Sequence, residues 1–217
     1  MFDYILFDLD GTLTDPAIGI TNSVMYALQK FGIKVNDRKE LFRFIGPPLI
    51  DSFTEFYGFS KEDAEQAIVY YREFFGVTGI YENEVYDGIE NVLSALKNQG
   101  KKLILATSKP EKYANIILEH FGLAKYFDCV VGATFDGSLN YKSDIIAVAL
   151  KRGDVTDISK AVMIGDRHHD INGGKANSLA TIGVLYGFGS HEEFCECGAD
   201  FVAETPADIL KILNSQE

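Results

Sequence analysis

The chain has 217 residues, room for one ordinary domain plus a modest insert, and its 47% hydrophobic and 24% charged residues exclude wholesale disorder and collagen-like structure. Lysine and arginine total 20 against 32 aspartate and glutamate, a formal charge of −12; such a surface repels phosphate backbones, so no nucleic-acid partner is expected, although a small anion can still meet a local basic pocket. Three cysteines, Cys129, Cys195 and Cys197, are too few and too irregularly placed for a disulfide framework, which fits a reducing cytoplasm.

The opening residues carry no basic leader and run straight into Tyr4-Ile5-Leu6-Phe7, an apolar run without helical spacing that reads as a buried strand. From Asp15 the rhythm changes. Asp15-Pro16 reads as N-cap and N1 of a helix carrying Ile20, Val24, Ala27, Leu28 and Phe31 up to Gly32. Asn36 is placed to cap a second helix ending before Gly46-Pro47-Pro48. Leu49, Phe53 and Phe56 mark a third, stopped by Gly58, and Ser60 with Asp63 resembles a capping box for a fourth, with Ala64, Ala67, Ile68, Tyr71 and Phe75. Beyond about Tyr81 strands and helices alternate. A helix from Asp87 presents Ile89, Val92, Leu93 and Leu96 on one face and stops at Gly100; strand Leu103 to Ala106 leads to a helix with Pro110 in its first turn. Strand Cys129 to Val131, a helix from Ser143 to Lys151, and strands at Ala161 to Ile164 and Thr181 to Leu185 complete the pattern. The expectation is an α/β protein: a Rossmann-like parallel sheet with helices on both faces over residues 1–14 and 82–217, and an inserted all-helical cap over 15–81. No apolar stretch approaches the roughly 20 residues of a membrane helix, so no membrane partner is expected.

The first strand runs into Asp8-Leu9-Asp10-Gly11-Thr12. With a side-chain period of two, both carboxylates leave on one side, where they repel each other unless a cation sits between them; alone, such a turn is as readily a solvated acidic loop. Three further features come with it. Strand Leu103 to Ala106 ends in Thr107-Ser108-Lys109-Pro110, strand Ala161 to Ile164 ends in Gly165-Asp166 with Asp170 four residues later, and Lys142 stands in a polar loop ahead of a helix. Ligands of open parallel sheets bind at the carboxyl ends of strands, so acids, hydroxyls and an amine converge where a phosphate and a divalent ion fit.

On these residues the chain resembles the haloacid-dehalogenase-like phosphotransferases: Asp8-x-Asp10-Gly11-Thr12, Thr107, Lys142, and Gly165-Asp166 with Asp170 match the four motifs in order. Ile45-Gly46-Pro47-Pro48-Leu49, Thr107-Ser108-Lys109-Pro110 and Asp136-Gly137 look like the phosphoglycolate-phosphatase-like group, some of whose members are described as 5′-nucleotidases. One departure is Ser143, where proline often follows the third-motif lysine. The resemblance implies an Mg²⁺-dependent phosphatase for small phosphorylated metabolites. Asp8 is then the nucleophile and Asp10 the general acid–base, with Gly11, Thr107, Ser108 and Lys142 on the phosphate. Asp8, Asp166, the backbone carbonyl of Asp10 and, in support, Asp170 hold the metal, and the cap closes over the site. A phosphomutase with the same core and, from another class, a phospho-receiver module are the rival readings. The protein is expected to be a monomer or weak homodimer.

Weaker signals stay near the bland interpretation. Arg43 is weighed equally as a cap contact to a substrate's second anionic group and as a solvated helix-face arginine. Lys109 is either a positive field beside the phosphate or a solvent-facing helix start, and Ser108 either touches phosphate or caps the next helix. His168 and His169 read as loop residues, Cys195-x-Cys197 lacks a partner pair for zinc, and Gly183, Gly187 and Gly189 shape a loop after the last strand read.

Overall fold

Buried parallel strands are uninterrupted apolar runs because both faces are covered, and the central strand obeys this rule. In the computed structural model, which describes residues 2–215, β1 (Tyr4–Phe7) pairs in parallel with β4 (Lys102–Pro110) on one side and β6 (Ala161–Gly165) on the other. Beyond them lie β5 (Cys129–Ala133) next to β4, and β7 (Ala180–Val184) and β8 (Phe201–Ala203) next to β6. The order β5-β4-β1-β6-β7-β8 reverses direction at β1. This is the doubly wound Rossmann-like order, whose crevice opens beyond the carboxyl ends of β1 and β6.

Register fixes which residues share a face. Leu6 lies beside Ile104 and Met163, and these three pack with Ile145, Ile146 and Ala149 of α6 (Lys142–Arg152) in one fully buried cluster. The residues of opposite parity, Ile5, Phe7, Leu103 and Leu105, are equally buried. Helices α4 (Ile89–Asn98) and α9 (Pro206–Asn214) pack on each other and on β4 and β8, while α7 (His168–Ala176) packs on α6, β6 and β7. Burying a Leu, Ile or Phe side chain contributes roughly 1.5–3 kcal/mol before the entropy of ordering it is counted.

The chain forms two compact units, one running to Thr14 and resuming at Val85, the other Asp15–Glu84. The second crossing therefore falls three residues later than the expected 81/82. Glu82 belongs with the helices: its carbonyl accepts the Gly19 N–H at 3.0 Å and its carboxylate takes Asn22 Nδ2 at 2.8 Å. Short strands β2 (Thr14–Asp15) and β3 (Glu84–Val85) form a two-stranded sheet where the chain passes between the units.

The helical unit holds α1 (Ala17–Lys30), a 3₁₀ helix Arg38–Phe44, α2 (Leu49–Tyr57) and α3 (Lys61–Phe75), around Val24, Leu28, Phe44, Phe53 and Phe75. Two expectations are corrected. The first helix starts after Pro16, with the Asp15 carboxylate still accepting the Ala17 N–H at 2.9 Å. The second is 3₁₀, not α, and its cap is Asp37, whose carboxylate accepts the Lys39 N–H, rather than Asn36. Ser60 caps α3 as expected, accepting the Asp63 N–H at 3.1 Å, and Gly58 closes α2 at φ +65°. Among the described residues no helix is long and apolar enough to cross a membrane.

Candidate active site

Strand pairing stops at Phe7, and the next seven residues wrap into a tight turn. Leu9 O accepts the N–H groups of Thr12, Leu13 and Thr14 at 3.3, 2.8 and 3.1 Å, and Gly11 N donates to Thr14 O at 2.7 Å. Gly11 has φ +81°, and a Cβ there would collide with the Asp166 carboxylate. Only glycine combines that backbone with that approach. The turn thus carries Asp8 and Asp10, and the end of β6 delivers Asp166 against it. From the helix side, Lys142 in the first turn of α6 reaches Asp8 and the Ala106 carbonyl.

Four carboxylates and two ammoniums meet here, all buried: Asp8, Asp10, Asp166, Asp170, Lys109 and Lys142. Lys142 Nζ lies 2.7 Å from Asp8 Oδ1 and 2.7 Å from Asp170 Oδ1, and donates to Ala106 O at 3.0 Å. Lys109 Nζ lies 2.7 Å from Asp10 Oδ2, and the Lys109 N–H donates to Thr107 Oγ1 at 3.3 Å. Asp166 Oδ2 accepts the Phe188 N–H at 2.9 Å and Asp170 Oδ2 the Arg167 N–H at 3.1 Å. Among the described residues, Asp10 Oδ1 and Asp166 Oδ1 are buried without a hydrogen-bond partner. Such orphaned oxygens are costly unless something else takes the charge. One oxygen each from Asp8, Asp166 and Asp170 lies within 4.8 Å of the others, and two negative charges are left over in the cluster. A divalent cation with hard-oxygen preference, such as Mg²⁺, fits that donor set.

Burial and like charge act on the same groups. Desolvation, then Asp170 and Asp8, push the Asp166 carboxyl well above the usual range. Asp170 is pushed up to about 6 by burial against the pull of Lys142, and burial raises Asp10 despite Lys109. Burial pulls the other way on Lys142, but Asp170 and Asp8 more than offset it and hold the ammonium charged. Raised carboxyls bind protons in the fold that the unfolded chain has already lost, so stability falls as pH rises through the window from about 4 to about 6. Burial holds one neighbouring imidazole, His169, down to about 4, which acts the other way over the same window. The raised carboxyls of Asp166, Asp170 and Asp10 outnumber it, so the metal-free protein is expected to melt at a higher temperature at pH 5 than at pH 7, with the difference reduced by saturating Mg²⁺. Melting curves at both pH values, with chelator and with Mg²⁺, check this. Surface carboxyls held near 2, such as Asp136 and Asp208, act only below that window.

Asp8, Asp10, Gly11, Thr107, Lys142, Asp166 and Asp170 thus come together at the carboxyl ends of β1, β4 and β6. Several local expectations change. Lys142 is the first residue of α6 and not a loop residue; the structural partner of its neighbour Ser143 is Asn177, whose Nδ2 donates to Ser143 O at 2.9 Å. Of the two readings of Lys109, the structure has the ammonium turned inward onto Asp10 and not facing solvent. Pro110 ends β4 and precedes α5 (Glu111–His120) as its N-cap without a side-chain cap, so Ser108, half-buried in the strand, does not cap that helix. His168 and His169 open α7, with Asp170 at N3 closing its first turn. Arg43 lies in the helical unit with its guanidinium 4.3 Å from the Phe56 ring centroid. Sequence reasoning missed Glu193, whose Oε1 reaches Arg167 and His168; the spacing Ser190-x-x-Glu193, a capping-box signature, was the signal for the short helix that carries it.

A family profile described as haloacid dehalogenase-like hydrolase matches residues 5–184. A 5′-nucleotidase of Pseudomonas aeruginosa is 47% identical over 189 residues, 87% of this chain and 85% of that protein. The tyrosine-protein kinase PtkA of Mycobacterium tuberculosis is 37% identical over 206 residues, 95% of this chain and 67% of the kinase. Among solved structures, a predicted phosphatase from Clostridium acetobutylicum superposes with a TM-score of 0.96 at 50% identity, covering 99% of both chains.

Proposed function

The chain belongs to the haloacid dehalogenase-like hydrolases, as an enzyme of phosphatase type, and from that premise we propose that it hydrolyses small phosphate monoesters, dependent on Mg²⁺, through a phosphorylated Asp8. The observation that carries the reading is the buried cluster itself: an acid paired to an ammonium, a second acid two residues on, and a surplus of two negative charges. The relative named 5′-nucleotidase supports a nucleoside 5′-monophosphate as substrate, and the Gly46-Pro47-Pro48 and Thr107-Ser108-Lys109-Pro110 segments keep a phosphoglycolate-like acid beside it.

Asp8 carboxylate attacks phosphorus, the ester P–O bond breaks, and the alkoxide leaves with a proton from Asp10. Asp10 Oδ1, the oxygen without a partner, is where that proton sits, because Oδ2 faces Lys109. Water then attacks the acyl phosphate, gives its proton back to Asp10, and releases inorganic phosphate with Asp8 restored. The Lys142 ammonium and Thr107 hydroxyl hold phosphoryl oxygens where charge persists in the transition state, with Gly11 and Ser108 as further phosphate contacts. Asp8, Asp166 and the Asp10 carbonyl, with Asp170 in support, would hold Mg²⁺, which when bound would supply the charge screening that lets an anion approach a dianion.

The test is a panel of nucleoside monophosphates, phosphoglycolate and sugar phosphates, compared by kcat/KM. Release of one phosphate per ester consumed, abolished by chelator and restored by Mg²⁺, is the expected result. Ester loss without phosphate release would favour transfer to an acceptor, a comparison the kinase relative makes necessary, and full turnover in excess chelator would overturn the metal requirement.

A further inference from the structure

Two of the three clustered acids, Asp166 and Asp170, bracket a turn whose backbone is held from outside. Glu193 lies at N3 of α8 (His191–Cys197), a short helix whose N-cap Ser190 accepts the Glu193 N–H at 3.2 Å. Its carboxylate is turned toward the Asp166–Asp170 segment, and one oxygen, Oε1, serves three donors there. It accepts the His168 backbone N–H at 2.7 Å and Arg167 Nε at 3.1 Å, and it lies 2.6 Å from His168 Nδ1. All three partners sit between the two acids.

The loop before α8 reinforces the hold. Phe188 N donates to Asp166 Oδ2 at 2.9 Å, and the Tyr186 hydroxyl donates to Thr12 O at 3.0 Å. A Cβ on Gly187 would collide with Gly11 O and the Asp166 side chain, and one on Gly189 with Asp166 O. Gly187 and Gly189 are therefore packed to backbone contact against Gly11 and Asp166.

We infer that Glu193 is a positioning residue: through the loop 186–190 and its own carboxylate, residues 186–193 preset Asp166 and Asp170 in their metal-binding arrangement before the ion arrives. The inference rests on reading those two acids as Mg²⁺ ligands. Partners that orient metal ligands from outside are worth about 10–100-fold in metal affinity.

Mg²⁺ binding to the full chain, measured by calorimetry, tests it with three variants. Glu193→Ala is expected to raise the Mg²⁺ dissociation constant by about tenfold or more and to speed amide exchange at His168 to Asp170. Glu193→Gln, which keeps an acceptor oxygen, falls between it and the parent, and carries the test if the alanine variant does not fold. Turnover lost by either is recovered by raising Mg²⁺, as a KM-like effect on the ion and not on kcat. Asp166→Asn is the control for the reading beneath. If Asp166→Asn weakens Mg²⁺ binding and both Glu193 variants leave affinity and exchange unchanged, the positioning role is wrong. If Asp166→Asn itself leaves affinity unchanged, the ligand assignment fails and the inference falls with it.

Discussion

Asp8→Asn is expected to lower turnover of a phosphate monoester on the order of 10⁴-fold or more, the scale on which enzymes lose rate when a nucleophile is removed, without loss of the fold. The kinetic half follows from chemistry, because an amide oxygen paired to Lys142 is a far weaker nucleophile than a carboxylate. The structural half follows from the charge balance. Asp8 contributes one of four negative charges in a buried cluster holding two positive ones, so its neutralisation relieves repulsion on Asp166, Asp170 and Asp10. Lys142 keeps its 2.7 Å contact with Asp170 and its bond to Ala106 O. The metal-free variant should therefore melt no lower than the parent. Steady-state kinetics beside melting curves in chelator check both halves; near-parent turnover would contradict the nucleophile assignment, and a large drop in melting temperature would contradict the charge account.

Lys142→Met should do the opposite to stability. Removing one member of a buried ion pair costs about 3–5 kcal/mol, because the charges left behind have no water to return to. Here Asp8, Asp166 and Asp170 would face one another without the ammonium that now touches two of them. For a chain of this size the loss lowers the melting temperature on the order of 10 °C. Mg²⁺ should recover part of it by supplying positive charge to the same acids, and so should pH 5 by protonating the raised carboxyls of Asp166 and Asp170. Turnover stays low in Mg²⁺ even where stability is recovered, since the phosphoryl oxygens still lack the ammonium. A metal-free Lys142→Met protein as stable as the parent at pH 7 would show that the cluster is not under the strain ascribed to it.

The strands and most helices of the sheet unit were legible because their burial is complete and periodic. Tyr4 to Phe7 and Ala161 to Ile164 could be placed from apolar continuity alone, and the helix after Asp87 from Val92, Leu93 and Leu96. Elements held by few residues were not: β8 has three residues and α8 seven, too short for either period to register. Near the site, residue types and their order pointed to strand ends that the structure does bring together, since parallel topology gathers those ends in one crevice. The pairings were another matter. That Lys109 turns in to Asp10, that Lys142 begins a helix, and that Glu193 grips the Arg167 side chain and the His168 backbone each depend on where a loop turns after the strand has ended. Capping was similarly local: Asp37 displaced Asn36 because the two neighbours offer the same chemistry and a one-residue shift decides which oxygen meets the Lys39 N–H.

The central claim is a covalent phosphoryl group on one carboxylate, and acid quenching during turnover addresses it directly. With a ³²P-labelled ester and Mg²⁺, the parent protein should yield an acid-stable, hydroxylamine-labile phosphoprotein whose label maps by peptide mass to Asp8, and Asp8→Asn should yield none. Label mapping to another residue, or turnover with no phosphoprotein at millisecond quench times, would contradict the account.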